Sequence, residues 1–117
     1  MKKNLQESMV CALRGIVKAF RSERNLRIHG CCALIVLLTA ILLKVSQVDF
    51  ALLTLAIGLV IVTELVNTAI EKAIDLFSIS YHPLAKIAKD VAAGAVLFAA
   101  LSAVVIGFLV FGPYLWK

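Results

Sequence analysis

The sequence predicts an all-α integral membrane protein, built from one N-terminal amphipathic surface helix and three transmembrane helices. Two features of its composition carry this prediction: 62% of the 117 residues are apolar, and only 16% are charged. Soluble domains contain about 45–50% apolar and about 25% charged residues. The mean hydropathy of +1.02 points the same way. A chain of this length leaves room for one domain, so we assign 1–117 to a single unit.

The first predicted element is a surface helix over 4–21. Its apolar residues recur at steps of three and four, which is the spacing of one helix face; they are Leu5, Met9, Leu13, Ile16, Val17 and Phe20. Basic residues surround this face, as they do in helices that rest in the membrane interface. An ordinary amphipathic helix packed on other helices fits the same pattern, and the two interpretations are compatible.

Three apolar segments follow, and they predict spans over 25–45, 48–77 and 84–112. A helix needs about 20 mostly apolar residues to cross a bilayer. Only the third segment, Val91 to Trp116, reaches this length without a charged residue. The second reaches it by keeping Glu64 and Asn67 near or inside the membrane. Pro83 suits the first turn of the third helix, and Pro113 predicts its end.

The basic residues are concentrated before the first span, which predicts the orientation of the chain. Residues 1–29 hold seven Lys or Arg and two Glu, whereas 30–117 hold five residues of each sign. Lys and Arg collect on the cytoplasmic side of membrane proteins, so we expect a cytoplasmic N-terminus. Three spans then put the 44–49 turn and the C-terminus outside, and the 78–90 region inside. Nucleic acid is not an expected partner, because no base-reading module is visible.

The second span carries polar residues that are costly inside a membrane and are therefore functional candidates. At about 100° per residue, five of them fall within an arc of about 100° on one helix face; they are Glu64, Asn67, Thr68, Glu71 and Asp75. In the expected topology, two further charged sets meet them at the cytoplasmic surface, one before the first span and one at the start of the third. These sets are Glu23, Arg24 and Arg27, and Lys86, Lys89 and Asp90.

The chemistry of these polar sets points to phosphoryl transfer. Carboxylates with amide or hydroxyl neighbours are hard oxygen ligands, suited to Mg²⁺ bound together with substrate phosphates. Lys and Arg suit phosphate oxygens, and phosphoryl transfer needs mainly positioning, a metal ion and positive charge. The sequence has no G-x-x-x-x-G-K-[ST] pattern, which excludes a P-loop enzyme. Salt bridges between helix ends explain Asp75 and Lys86 equally well, but they explain the deeper Glu64 and Asn67 poorly.

The segments around these residues resemble a known family. The similarity is strongest in two motifs, E-L-V-N-T-A-I-E-K-A-I-D (64–75) and Y-H-P-L-A-K-I-A-K-D-V-A-A-G-A-V (81–96). They are similar to motifs of the small prokaryotic diacylglycerol kinases, a family that includes the undecaprenol kinases of Gram-positive bacteria. The resemblance implies a homotrimer in the bacterial cytoplasmic membrane with its active site on the cytoplasmic side. It also implies ATP with Mg²⁺ as phosphoryl donor and a membrane lipid alcohol as acceptor.

The resemblance further implies roles for individual residues. Glu71 matches the catalytic base and also a metal ligand, and Glu23 matches the second metal ligand. Glu64 and Asn67 match active-site residues that position Glu71 and the substrates. A last set matches residues that contact the nucleotide or its phosphates; it consists of Asp75, Tyr81, Lys89 and Asp90.

The acceptor has two candidates. Segments 24–29 and 81–90 resemble the undecaprenol kinases more than the Gram-negative diacylglycerol kinases, which favours undecaprenol over diacylglycerol. Both lipids present a primary hydroxyl at headgroup level. Two other function classes remain as alternatives, a small membrane transporter and a non-catalytic membrane adaptor. Small exporters of this length use four spans, however, and this sequence predicts three.

Overall fold

The computed structural model describes residues 4–77, 80 and 82–116, and every element in that part of the chain is a helix. The helices are α1 (Leu5–Ser22), α2 (Arg24–Leu43), α3 (Gln47–Phe77) and α4 (Pro83–Leu115). The last three are each long and apolar enough to cross a membrane. The prediction of an all-helical protein with three candidate spans is therefore confirmed.

The chain turns sharply between α1 and α2 at a single residue. Glu23 has an extended backbone (φ −109°, ψ 115°), which ends α1. The guanidinium of Arg27 then reaches back and donates hydrogen bonds to the carbonyls of Phe20 (3.0 Å) and Arg21 (2.7 Å). The last carbonyls of a helix lack partners within it and carry partial negative charge, so Arg27 both pairs and neutralises them. This contact ties the end of α1 to the start of α2.

α1 lies against α2 and α3 through its C-terminal half. Ala19 is its one buried residue. A Cβ built on Gly30 would lie 3.1 Å from the ring edge of Phe20, so α1 and α2 approach closely at this point. The apolar side chains of Met9 and Leu13 stay largely exposed within the single chain. The apolar face of α1 is thus left for a surface outside this chain.

A tight turn joins α2 to α3. Lys44 adopts the left-handed conformation (φ 55°, ψ 47°) directly after α2. Its N–H donates to the carbonyl of Ile41 (3.2 Å), and the N–H of Val45 donates to the carbonyl of Ala40 (3.2 Å). This pair of bonds is the Schellman arrangement, in which glycine is the usual left-handed residue. The turn makes α2 and α3 antiparallel neighbours.

The best-buried apolar cluster lies next to this turn. Ala40, Leu53 and Val110 are 1%, 2% and 4% exposed and join α2, α3 and α4. α3 packs most extensively against α4 and next against α2, so it is the central helix. The small side chain of Ala40 lets α2 approach α3 closely here, since membrane helices associate through close packing.

α4 has a capped N-terminus, and it ends later in the chain than the predicted residue 112. Nδ1 of His82 accepts a hydrogen bond from the N–H of Leu84 (3.1 Å), and Pro83 occupies the first turn. The helix continues past residue 112 to Leu115, with Pro113 inside it. A proline this close to a helix end removes a single hydrogen bond, so the last turn persists.

The conformation of Lys44 yields a stability prediction. Replacing it by glycine removes the steric cost of the left-handed backbone, which is about 1 kcal/mol for a residue with a Cβ. We expect K44G to unfold at a higher temperature in detergent than K44A. Both variants lose the same charge, so the comparison isolates the backbone effect. Equal melting temperatures would show that the turn carries no such strain.

Candidate active site

The predicted polar residues meet at one end of the helices, away from the α2–α3 turn. Two contacts across helices demonstrate this. His29 Nε2 of α2 lies 3.2 Å from Glu64 Oε1 of α3, and Lys89 Nζ of α4 donates to Asp75 Oδ1 of α3 at 2.7 Å. Antiparallel packing brings the start of α2, the second half of α3 and the start of α4 to the same end. The charged residues of three sequence segments therefore form one site.

On the polar face of α3, the exposure of the side chains increases toward the C-terminal end of the helix. We call Glu64, Asn67, Glu71 and Asp75 the carboxylate stripe. Glu64 is 3% exposed, Asn67 and Glu71 are partly buried, and Asp75 is exposed. Carboxylates are rarely buried unless they are paired. The stripe thus leads from a membrane-buried position at Glu64 to an open surface at Asp75.

Asn67 and Glu71 form the centre of the stripe. Nδ2 of Asn67 donates to Oε1 of Glu71 over 3.4 Å, which is a long hydrogen bond. The Oδ1 of Asn67 is buried and has no hydrogen-bond partner within the described part of the chain. Buried polar atoms normally have a partner. An unpaired amide oxygen beside a carboxylate is therefore a place for a cation or for a hydrogen-bond donor on a substrate.

Helix geometry predicts that Glu23 and Glu71 lie at similar heights along the helix axes. Glu23 is the N-cap of α2 and precedes His29 by six residues, about 9 Å at the rise of a helix. Counting forward from Glu64 by two turns of α3, about 10 Å, reaches Glu71. Because His29 and Glu64 are in contact and the helices are antiparallel, both carboxylates belong to one layer. Glu23 is partly buried at the α1–α2 junction.

The donor set of this layer fits magnesium in combination with a phosphorylated ligand. Within residues 4–77, 80 and 82–116, no three His, Cys, Asp or Glu side chains form a group that could hold a metal ion by itself. Mg²⁺ is usually bound by one or two carboxylates together with substrate phosphates and water. Glu23, Glu71 and the amide oxygen of Asn67 supply ligands of that kind.

The charged residues of α4 are held in exposed ion pairs. Lys89 bonds to Asp75, and Lys86 bonds to Asp90 at 2.6 Å. The side chains of all four are between 40% and 64% exposed. Ion pairs that are open to water contribute little to stability, so a phosphate group can compete for the lysines at little cost. Tyr81, also predicted to contact the nucleotide, lies outside the described residues.

His29 is a site residue that the sequence patterns did not single out. Its side chain is 30% exposed and is the partner of the buried Glu64. One signal could have found it: a carboxylate buried in a span needs a donor, and His29 is the one polar side chain in the first turns of α2 that lies beyond Arg27. Whether His29 lies on the face of α2 that contacts α3 depends on the register between the two helices. The spacing of residues within one helix does not reveal that register.

Comparison with known proteins identifies the family of this chain. The family model of prokaryotic diacylglycerol kinase matches residues 10–111. The undecaprenol kinase of Bacillus subtilis is 44% identical over 109 residues, covering 93% of this chain and 89% of that protein. A diacylglycerol kinase of Synechocystis is 48% identical over 105 residues, covering 89% of this chain but 60% of that protein. The diacylglycerol kinase of Escherichia coli strain K12 is 34% identical over 92 residues, covering 79% of this chain and 75% of that protein. The chain therefore belongs to the prokaryotic diacylglycerol kinase family of membrane lipid kinases.

Proposed function

We propose that this protein transfers the γ-phosphoryl group of ATP to the hydroxyl of undecaprenol and so makes undecaprenyl phosphate. The observation that carries the proposal is the carboxylate stripe, which joins a membrane-buried polar position to an open, charged surface on one helix face. A lipid alcohol reaches the stripe from the bilayer, and a nucleotide reaches it from water. The similarity to the Bacillus subtilis undecaprenol kinase over 93% of the chain supports this acceptor.

Diacylglycerol is the second candidate acceptor. The Synechocystis relative named diacylglycerol kinase is 48% identical over 105 residues, slightly more than the undecaprenol kinase over its matched region. Both acceptors would bring a primary hydroxyl to the layer of Glu71. The choice between them therefore needs a direct comparison of the two lipids.

Glu71 is the proposed general base. It lies on the partly buried portion of the stripe and is oriented by Asn67 through the 3.4 Å hydrogen bond. A carboxylate there can hold the acceptor hydroxyl and take its proton as the oxygen attacks phosphorus. Asn67 and Glu64 are proposed to keep Glu71 and the acceptor in place. Phosphoryl transfer depends chiefly on such positioning and on neutralising phosphate charge.

ATP is proposed to bind on the exposed side, with Mg²⁺ held by Glu23 and Glu71. A bound ion would supply positive charge that offsets the negative charge of the phosphates. Lys89 is the proposed phosphate contact from α4, and it would exchange its exposed bond to Asp75 for a phosphate oxygen. Asp75, Tyr81 and Asp90 are proposed to complete the nucleotide side.

The membrane placement and assembly are also part of the proposal. The exposed apolar residues of α1 suit a helix lying in the interface of the cytoplasmic leaflet. The positive N-terminal region favours a cytoplasmic N-terminus and active site. A homotrimer would cover the apolar faces that α2, α3 and α4 leave exposed within one chain. Gly94 is a small residue on an exposed face of α4 and permits a close helix contact there.

The acceptor assignment predicts a ratio of specificity constants. Purified protein in mixed micelles, with labelled ATP and Mg²⁺, should phosphorylate undecaprenol with a higher kcat/KM than diacylglycerol. The product of each reaction is identified by thin-layer chromatography. A higher kcat/KM for diacylglycerol would reassign the acceptor but keep the site. Failure to phosphorylate either lipid would contradict the proposed function.

The role of Glu71 predicts a large loss of kcat. E71Q keeps the shape of the side chain but removes the base, and such a loss typically costs about 10²–10⁴ in rate. E7Q is the matched control, because Glu7 lies in the first turn of α1, outside the stripe, and should keep activity of the wild-type order. Gel filtration establishes that both variants assemble alike. Activity in E71Q comparable to that of E7Q would remove Glu71 from the proposed mechanism.

The proposed role of Lys89 predicts that its loss changes KM for ATP and leaves KM for the lipid unchanged. K89M removes one positive charge at the phosphates, so KM for ATP should rise about ten-fold, the usual scale for a lost charged hydrogen bond. KM for the lipid should stay near its wild-type value. K86M breaks the other ion pair of the same helix and should have little effect on KM for ATP. Equal effects of the two variants would indicate a general charge effect instead of a specific contact.

A further inference from the structure

An apolar groove of about 390 Å³ runs along α3 between α2 and α4 and ends at His29. The other residues lining it are apolar, with Leu53, Val60 and Ala103 among them. At about 100° per residue, the groove residues of α3 fall on the same face as Glu64 and Glu71. The groove and the carboxylate stripe are therefore two halves of one helix face, apolar toward the turn end and polar toward the site.

His29 lies where the two halves meet. Its Nε2 is 3.2 Å from the carboxylate of Glu64, and Glu64 is almost completely buried. A carboxylate buried without a donor would be strongly unfavourable, so this bond is needed to keep Glu64 in its position. The contact with Glu64 engages Nε2 of His29, so an N–H at that nitrogen is not free for a second acceptor. Among the other described groove residues, Cys32 has only a weak S–H donor, and none carries a side-chain N–H or O–H group.

Undecaprenol and diacylglycerol differ in the part of the molecule that would lie between Glu64 and Glu71. Glu71, where the hydroxyl would bind, is about 10 Å along the helix from Glu64. The first part of an acceptor chain must then pass between the two levels on its way into the groove. A polyprenyl alcohol is pure hydrocarbon below its hydroxyl. A diacylglycerol has two ester carbonyls within a few bonds of its hydroxyl, and each requires a donor or water when it is buried.

We propose that His29 is a positioning residue that sets acceptor selectivity. By committing its Nε2 to Glu64, it leaves the polar end of the groove without a free side-chain N–H or O–H group for ester carbonyls, and the groove then favours an acceptor whose chain is hydrocarbon from the hydroxyl onward. The acceptor chain occupies the apolar groove, whose one polar end opens at the stripe. This inference rests on the proposed function and extends it to the residue that discriminates between the two lipids.

The test replaces His29 by residues with different numbers of donors. Glutamine has two N–H groups, so H29Q can hold Glu64 and still offer a donor to an ester carbonyl. In H29Q, the ratio of kcat/KM for undecaprenol to that for diacylglycerol should fall about ten-fold, the effect of pairing one buried acceptor. A general loss of activity in H29Q would lower kcat/KM for both lipids alike and would therefore leave this ratio unchanged. H29L offers no donor, leaves Glu64 unpaired and should lower kcat for both lipids.

H82N is the matched control for the loss of an imidazole. His82 caps α4 through Nδ1, and asparagine retains a cap acceptor, so the acceptor ratio should not change. An unchanged ratio of the two kcat/KM values in H29Q would overturn the selectivity role. The proposed function would survive that result, since it fails only if the wild-type protein phosphorylates neither lipid.

A second pair of variants tests the occupant of the groove. A103L narrows the groove and should raise KM for undecaprenol several-fold, while KM for ATP stays constant. A93L adds the same volume at an exposed position of α4 outside the groove and should leave both constants unchanged. If the groove instead holds a helix of a second copy, A103L will weaken chemical cross-linking between subunits without a specific change in lipid KM. That result would overturn the assignment of the groove to the acceptor chain.

Discussion

The pairing of Glu64 with His29 is the interaction on which the rest of the site depends. A carboxylate that is 3% exposed in a candidate membrane span must have a donor, and α2 supplies it. This contact occurs in the register that the packing of α2 against α3 selects. In that register, helix geometry puts Glu23 at a height similar to that of Glu71, although the two residues are far apart in the chain. Carboxylates of this kind are suited to Mg²⁺ that is bound together with a phosphate.

Burial divides the site into regions with different tasks. The Glu64 end is enclosed by helices, and its polar groups are paired within the protein. The Asp75 end has ion pairs that are open to water and weak enough to be exchanged for phosphate contacts. Between them, the unpaired oxygen of Asn67 marks the position where an outside partner is most needed. A lipid kinase has to join a substrate from the membrane with one from water, and the proposed site uses this gradient on one helix for that purpose.

The lengths of the helices bear on how residues of one chain can reach both the bilayer and water. α2 has 20 residues and is about 30 Å long, which is close to the hydrocarbon thickness of a bilayer. α3 and α4 have 31 and 33 residues, so each extends well beyond that thickness. The additional turns of α3 carry Glu71 and Asp75, and those of α4 carry Lys89. These charged residues therefore lie toward the ends of the two long helices, and the chain turns at Glu23 so that α1 packs against α2 and α3.

The sequence by itself determined the three candidate spans, the polar face of α3 and the family, because these depend on composition, helical periodicity and local motifs. Hydropathy located the apolar segments, and a spacing of about 3.6 residues put Glu64, Asn67 and Glu71 on one face. Only the tertiary structure decided that His29 is the partner of Glu64, that Lys89 reaches Asp75, and that an apolar groove continues the stripe. It also decided that α4 continues through Pro113. Those features depend on how side chains of separate helices pack and on the register this packing selects, and periodicity within one helix carries no information about either.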